Sequence, residues 1–229
     1  MSVAEKIRTH GYWRVVIRPK LFVPDRIESI SDLFPLVQRS SIQIRGWDFP
    51  HIDQRHPPKI GENWVQQDIE WEHHLERWRI FQNGQFAYLK AFNLDWAEDT
   101  ANWSPRPPKP PRDALIGIGD TIYRFTEIFE FASAISLTAA GDEQMFVQVG
   151  CHGIEGRELW VDGHGRMPLF PARRTDLRQY VKESSFDRSY LVAESRQIGL
   201  KWARELFRRF DWDPSLDLLE GVIPEIRRR

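Results

Sequence analysis

The sequence predicts an α+β fold in which a largely antiparallel sheet packs against two or three helices. Segments that alternate between apolar and polar residues lie early in the chain and again after its middle, as half-buried strands do. Two long segments with helical apolar spacing lie between and after them. A regular strand–helix alternation is missing, which weighs against a doubly wound nucleotide-binding fold.

The first predicted strand covers residues 12–18, where Trp13, Val15 and Ile17 face one side and Pro19 ends the segment. A short helix over 31–39 should follow, with Ser31 as its cap and Pro35 in the first turn, where the missing N–H costs nothing. Ile42 and Ile44 then mark a second strand.

Asn83-Gly84 separates two strand-like runs and predicts a hairpin with a type I′ turn, because both central residues of that turn need positive φ. Residues 64–71 are interpreted as the strand before this hairpin, since consecutive strands tend to be neighbours. A helix with heptad-like tryptophan spacing is the alternative for that segment.

The remaining predicted elements are a long helix at 120–139, two strands at 144–151 and 157–161 that form a hairpin, and a final helix at 189–210. Asp120 should cap the first helix. Gly199 in the last helix indicates a close backbone approach to a neighbouring element.

Residues 104–111 contain five prolines in eight positions, which favours an extended polyproline conformation. We interpret this segment as a stiff loop in preference to a proline-rich ligand. The chain should form one domain over residues 1–229, with two subdomains divided at this loop as the alternative.

Composition excludes several functional classes. Lys and Arg number 32 against 33 Asp and Glu, so the global basic field of a nonspecific DNA binder is absent. A single cysteine, Cys151, excludes a disulfide framework and a cysteine-based zinc site, and it favours the cytoplasm. No apolar run has the length of a signal peptide core or of a membrane span, so no membrane partner is expected.

Familiar catalytic motifs are missing from the sequence. It lacks a Gly-x-Ser-x-Gly elbow and a phosphate-binding loop, and Cys151 should be a buried, inert thiol. The cluster at 70–76 has adjacent histidines in place of metal-binding spacing, and His51, Asp53 and His56 stand among prolines. We therefore predict no metal and no cofactor.

The loop at residues 45–51 is the leading candidate site. Arg45, Trp47, Asp48 and His51 follow a strand closely, and we expect the guanidinium and the indole to project outward to recognise a protein or a small ligand. In the alternative, Trp47 and Phe49 plug the end of the sheet while Arg45 and Asp48 pair. Ten tryptophans, more than a core of this size requires, favour an aromatic surface patch.

Two other functions stay open. Residues 166–210 carry 11 Lys and Arg against 5 Asp and Glu, and the last helix could bind nucleic acid through a basic stripe formed by Arg196, Lys201, Arg204, Arg208 and Arg209. A hydrolase-like enzyme would use His51 or His152 with Asp48, Asp53 or Glu155, provided that these side chains meet in one pocket. A binding module is favoured over an enzyme because no complete catalytic set is visible.

Four stretches taken together resemble an uncharacterised bacterial domain that often lies C-terminal to AlbA/Schlafen-like putative nucleic-acid-handling modules. They are Gly11-Tyr-Trp-Arg-Val, Arg45-Gly-Trp-Asp-Phe-Pro-His51, Asn83-Gly-Gln-Phe86 and Thr126-Glu-Ile-Phe-Glu-Phe131. The resemblance covers most of the chain in the same order. It implies a bacterial accessory, sensing or interaction domain, and it supplies no catalytic residues.

Overall fold

The computed structural model describes residues 1–99, 111–162 and 169–227. Its strands are β1 Tyr12–Pro19, β2 Ile42–Gln43, β3 Asp48–Phe49, β4 Lys59–Ile60, β5 Trp64–Trp71, β6 His74–Phe81, β7 Phe86–Ala91, β8 Leu115–Gly117, β9 Gln144–His152, β10 Glu158–Trp160 and β11 Gln179–Asp187. Its α-helices are α1 Val3–Ile7, α2 Leu33–Ser40, α3 Ile118–Ser136, α4 Arg188–Arg208 and α5 Leu216–Arg227.

Seven strands form one sheet in the order β11-β9-β1-β7-β6-β5-β4, and every neighbouring pair in it is antiparallel. The predicted α+β class is therefore confirmed. Strands β2 and β3 form a separate antiparallel pair, while β8 and β10 form a parallel one.

The alternation predicted for β1 is confirmed, because Trp13, Val15 and Ile17 are buried on one face. The strand interpretation of residues 64–71 is also confirmed. The β6–β7 hairpin forms as predicted, but the type I′ turn is wrong. Gly84 has a positive φ of 83° and Asn83 does not, and the Gly84 N–H donates to the Phe81 carbonyl. A type I turn followed by a left-handed glycine closes this hairpin.

Other local predictions are wrong. The strand at 157–161 does not form a hairpin with β9, since β10 pairs in parallel with β8 instead. The two predicted caps also fail: α2 begins at Leu33 after a short 3₁₀ turn, and α3 begins after Gly117, which places Asp120 inside its first turn. Strand β11 and the terminal helices α1 and α5 were not predicted from the sequence.

The inner face of the sheet holds the main core. Helix α3 lies against this face, with Phe125 packed on Trp13 and Phe131 on Phe86, and helix α4 lies against α3. On the outer face, α1 covers one end of the sheet through Ala4 and Ile7. Strands from before and after the proline-rich segment meet in the middle of the sheet, where β1 lies between β7 and β9.

Residues 104–110 of the proline-rich segment lie outside the described residues. Within the described ranges, no helix combines the length and apolar character needed to cross a membrane. Cys151 is buried on the inner face, as predicted, and its burial raises the pKa of the thiol well above the ordinary value.

The close approach predicted at Gly199 is confirmed. A Cβ atom added there would lie 2.9 Å from the Phe125 carbonyl oxygen and 3.0 Å from the Thr126 Cα, both in α3. Because these are backbone atoms, they cannot move aside as a side chain would. The short distance between α3 and α4 therefore depends on residue 199 having no side chain.

We expect Gly199→Ala to lower the free energy of unfolding by about 1–3 kcal/mol, because overpacking pushes α4 away from α3. Gly221→Ala in α5 is the matched control, since a Cβ there would meet nothing within 4 Å. That variant should be neutral or more stable by up to about 1 kcal/mol, from helix propensity. Urea unfolding measures both, and equal effects would contradict the close approach.

Candidate functional site

A cleft of about 270 Å³ opens where the inner face of the sheet meets the N-terminal half of α3. Its walls come from the 45–51 loop, the turn between β5 and β6, the end of β7 and one face of α3. The lining residues are Arg45, Trp47, Asp48, Trp71, Glu72, His73, His74, Glu76, Lys90, Asn93, Arg124 and Glu127. Three members of the predicted loop site thus line a cleft together with residues distant in sequence.

Two charged residues face inward from the central strands. Glu76 on β6 lies directly opposite Lys90 on β7, and Lys90 lies opposite Trp13 on β1. In the neighbouring register positions the inward residues are apolar or aromatic, such as Trp78 and Tyr88. Glu76 and Lys90 are 2% and 1% exposed, so the sheet buries both groups at the base of the cleft.

Helix α3 supplies a second set of charges. Asp120, Arg124 and Glu127 are spaced four and three residues apart, which puts them on one helix face. The Arg45 Nε and Nη2 atoms donate to the two Glu127 carboxylate oxygens at 2.8 and 3.0 Å, and its Nη1 donates to Asp120 at 2.6 Å. Arg124 Nη1 lies 3.2 Å from the Glu127 carboxylate and donates to the Tyr88 hydroxyl at 2.9 Å.

The expected outward projection of Arg45 is therefore wrong. Its side chain is 20% exposed and anchors the loop to α3 through two carboxylates, in the fork geometry that guanidinium favours. Nearby Glu127 and Asp120 hold the pKa of Arg45 above its ordinary value despite its burial. The alternative pairing of Arg45 with Asp48 is wrong as well, because Asp48 is hydrogen bonded to His51.

The loop is also fixed to the sheet. The Asp48 carboxylate contacts His51 Nδ1 and accepts from the Ile52 N–H, while Phe49 is buried against Tyr88 and Phe131. The His51 N–H donates to Glu76 at 2.8 Å, and Trp78 Nε1 donates to the His51 carbonyl. These bonds place the loop as one wall of the cleft.

An aromatic rim borders the cleft. Trp47 and Trp71 lie nearly parallel, with centroids 5.9 Å apart and an interplanar angle of 5°, and Trp47 also stacks on His51. Trp47 is half-buried, whereas Trp71 is 47% exposed. The structure thus joins the predicted indole to a second one, Trp71, at the end of β5.

Four residues that line this cleft each carry a buried polar atom with no hydrogen-bond partner among the described residues: Trp47 Nε1, Lys90 Nζ, Asn93 Oδ1 and Arg124 Nε. Three of these atoms are N–H donors. The carboxylates beside them are occupied, because Glu76 binds the His51 N–H and His74, and Glu127 binds Arg45 and Arg124. Since an unsatisfied buried donor costs about 1–3 kcal/mol, these atoms make the cleft a candidate for binding an acceptor.

Burial sets the charges at the base of the cleft. It lowers the pKa of Lys90 to about 7, against the opposing effect of Glu76, and Arg124 lowers it further. Burial also lowers the pKa of His74 to about 4. For Glu76, burial acts to raise the pKa, but the hydrogen bond from His74 and the charges of Lys90 and Arg124 lower it to about 2.

A second cavity of about 200 Å³ adjoins the first through Asn93, which lines both. Its acidic residues are Asp120 and Asp162, and the Asp162 carboxylate accepts the Asp120 N–H at 2.9 Å, at the start of α3. Burial raises the pKa of Asp162 to about 6. A Cβ at Gly117 would lie 2.4 Å from this carboxylate, so a larger residue there would displace the Asp162 side chain.

The histidine and carboxylate candidates do not share one pocket. His51 pairs with Asp48 beside the cleft, whereas Asp53 pairs with His56, whose side chain is 73% exposed. His152 stacks on Tyr12 on the outer face of the sheet, and Glu155 pairs with Arg178 at the surface. Among the described residues, no group of three or more His, Cys, Asp and Glu side chains could hold a metal ion.

The basic stripe on α4 is largely paired within the chain. Arg196 binds Glu130 through two nitrogens, and Arg204 and Arg208 both bind Asp213. Lys201 and Arg209 are exposed. Three of the five candidate cations are therefore already paired with carboxylates.

Sequence reasoning missed Glu76, Lys90, Arg124 and Glu127 as site residues. A signal was present: Glu76 and Lys90 occupy inward positions of strands that otherwise bury apolar groups, and Arg124 and Glu127 interrupt an apolar helix. Buried charged residues whose pKa values are strongly shifted are candidates for functional sites. Their meeting in one cleft, however, depends on the packing of α3 onto β6 and β7.

Replacing Lys90 by Met should change how stability depends on pH. The unfolded chain keeps the lysine proton up to a pKa of 10.5, whereas the folded chain releases it near pH 7. Between these two pKa values the unfolded chain binds more protons than the folded chain, so the free energy of unfolding rises by about 1.4 kcal/mol per pH unit. Met does not titrate, so the variant lacks this contribution. In urea unfolding, the free energy of unfolding of the wild type should therefore rise by about 2 kcal/mol relative to that of Lys90→Met between pH 7.5 and pH 9.0. A pH-independent difference would contradict the buried, deprotonating amine.

Comparison with known protein families, with curated proteins and with solved structures finds no match to this chain. The resemblance to the bacterial domain stays a prediction, and the chemistry of the cleft rests on its own residues.

Proposed function

We propose that this protein binds a small molecule in the cleft, through a carbonyl or carboxylate oxygen at the base and a planar apolar group at the rim. The observation that carries the proposal is the set of buried, unpaired N–H donors of Trp47, Lys90 and Arg124. Donors without acceptors call for an acceptor from outside the chain, and oxygen is the usual one.

The base of the cleft supports an oxygen ligand better than a cationic one. Its carboxylates already accept hydrogen bonds from neighbouring side chains and backbone, whereas Lys90 Nζ and Arg124 Nε have no acceptor among the described residues. An oxygen placed between Lys90 and Arg124 would satisfy both donors, because each can donate to the same acceptor.

The rim supports a planar group. Trp71, which is 47% exposed and lies parallel to Trp47, offers an aromatic surface at the mouth, and aromatic stacking adds about 0.5–1.5 kcal/mol beyond burial. The volume of about 270 Å³ lies at the small end for ligand pockets, which favours a compact molecule of one ring. Arg45 and Asp48 then act as positioning residues that hold the loop, and Trp47 contacts the ligand.

Benzoate tests this proposal, with benzylamine as the charge-reversed comparison. Benzoate should raise the thermal midpoint and quench tryptophan fluorescence, and benzylamine should do neither. Trp71→Ala should weaken benzoate binding about two- to tenfold, because it removes one stacking surface. Trp160→Ala is the matched control, since this tryptophan is 36% exposed and is not among the residues that line the cleft.

Equal responses to both probes, or equal effects of the two tryptophan variants, would contradict the proposed orientation of the ligand. No response to any aromatic acid at millimolar concentration would overturn the cleft as a site for such molecules.

A second candidate function is single-strand nucleic-acid binding, on the outer face of the sheet in preference to α4. A cavity of about 290 Å³ on that face is lined by Arg8, Arg14, Arg77 and Arg79, with no carboxylate among its described lining residues, and of these four Arg77 pairs with Asp68. Arg79 lies over the Trp64 ring at 4.0 Å, and Phe81 lines the same cavity. Guanidinium groups beside aromatic rings suit phosphates and stacked bases.

Fluorescence anisotropy with a labelled oligothymidylate distinguishes the two basic surfaces. Arg14→Gln together with Arg79→Gln should weaken binding and flatten the dependence of log K on log salt by about 1.4, at about 0.7 per lost phosphate contact. Arg204→Gln with Arg208→Gln on α4 should leave both quantities unchanged. A larger effect from the α4 pair would reassign the binding surface to the helix.

A further inference from the structure

We propose that Lys90 is a nucleophile whose amine forms an imine with the aldehyde or ketone group of a small molecule bound in the cleft. This inference rests on the proposed small-molecule function and adds to it a covalent step and a substrate class, the carbonyl compounds.

The position of Lys90 is the first support. It lies on β7, which is hydrogen bonded on both sides, to β1 and to β6. Its side chain is 1% exposed, lines the cleft, and leaves Nζ without a hydrogen bond or an ion pair among the described residues. A catalytic amine needs this combination of rigid placement and a free nitrogen.

The partner that a structural lysine would use is occupied. Glu76 stands opposite Lys90 in register, but one of its oxygens accepts the His51 N–H and the other binds His74 Nε2. No ion pair within 4 Å joins Glu76 to Lys90 in the described structure. The cleft therefore keeps the amine unpaired although a carboxylate is near.

Other described lysines contrast with it. Lys6, Lys59 and Lys182 form ion pairs with carboxylates, and Lys20 donates to Gln144. Their amines are held as surface cations, whereas Lys90 lies in the interior, where a charged ammonium is costly. This difference makes Lys90 the described lysine best suited to react as a neutral amine.

The electrostatic surroundings agree with a neutral amine near pH 7. Burial lowers the pKa of Lys90 most. Glu76 on β6 and Asp120 on α3 oppose the change, while Arg124 on α3 and Arg45 from the loop favour it. His74 beside Glu76 is neutral in this range, because its pKa is about 4. Lowered pKa values of this kind distinguish reactive lysines.

The proposed step balances without a cofactor. The Lys90 nitrogen adds to the carbonyl carbon and gives a carbinolamine, in which the former carbonyl oxygen has become a hydroxyl. The nitrogen then loses its remaining proton, the hydroxyl leaves with a proton as water, and a C=N bond is formed. Arg124, which keeps an unpaired Nε–H, is placed to hold a carboxylate on a substrate such as a 2-oxo acid.

Reductive trapping tests this inference. The full-length protein is incubated with benzoylformate, an aromatic 2-oxo acid, and with sodium cyanoborohydride, and the adduct is located by peptide mass mapping. We expect one adduct on Lys90. Lys90→Arg and Lys90→Met should lose it, and Lys59→Arg, a surface control, should keep it.

The pH dependence separates Lys90 from surface lysines in the same sample. Since its neutral fraction rises as the pH passes through about 7, the amine-dependent part of the labelling rate at Lys90 should rise about tenfold from pH 6 to pH 8. A surface lysine with a pKa near 10.5 should change about hundredfold over the same interval. If the labelling of Lys90 depended on pH as steeply as that of a surface lysine, the proposal that Lys90 reacts as a neutral amine near pH 7 would be overturned.

The outcomes also separate this inference from the proposed function. Benzoylformate that raises the thermal midpoint without labelling Lys90 would overturn the imine and leave small-molecule binding standing. If neither benzoate nor benzoylformate shifts the midpoint and no Lys90 adduct forms, both proposals are overturned. Adducts confined to surface lysines or the N-terminal amine would overturn the imine.

Discussion

The placement of ionised groups between the sheet and α3 is the constraint on which the rest of this structure depends. Glu127 is 2% exposed and accepts from Arg45 while Arg124 lies beside it. A buried carboxylate is tolerated only when it is paired, so the loop that carries Arg45 must return to α3. That return brings Trp47 and Asp48 to the mouth of the cleft, and His51 beside it.

The same arrangement leaves the cleft with an imbalance of donors and acceptors. The carboxylates accept from guanidinium, imidazole and backbone N–H groups, while Lys90 and Trp47 retain donors that meet no acceptor in the described structure. Such an imbalance destabilises the folded chain, and proteins accept it mainly where a bound molecule or a reaction uses the free groups. Lys90 lies on a strand that is paired on both sides, to β1 and to β6.

Several structural features were readable from residue patterns because they depend on neighbours in sequence. The alternation in β1, the hairpin at Gly84 and the close packing at Gly199 each follow from a local pattern. Sequence patterns gave wrong or missing predictions where the pairing of strands distant in sequence decided the structure. Residues 157–161 pair in parallel with β8, and β11 became a strand because the edge of β9 was available to pair with it.

The sequence by itself determined the α+β class and the main strands and helices, and it singled out the loop that lines the cleft. Only the tertiary structure decided that Arg45 turns inward, and that Glu76, Lys90 and Arg124 meet it around one cleft. The physical reason is that alternation tells which face a residue occupies, but not which distant charge will lie opposite it. A guanidinium group is buried only where a carboxylate in the interior can pair with it, and the packing of distant elements decides whether one is present.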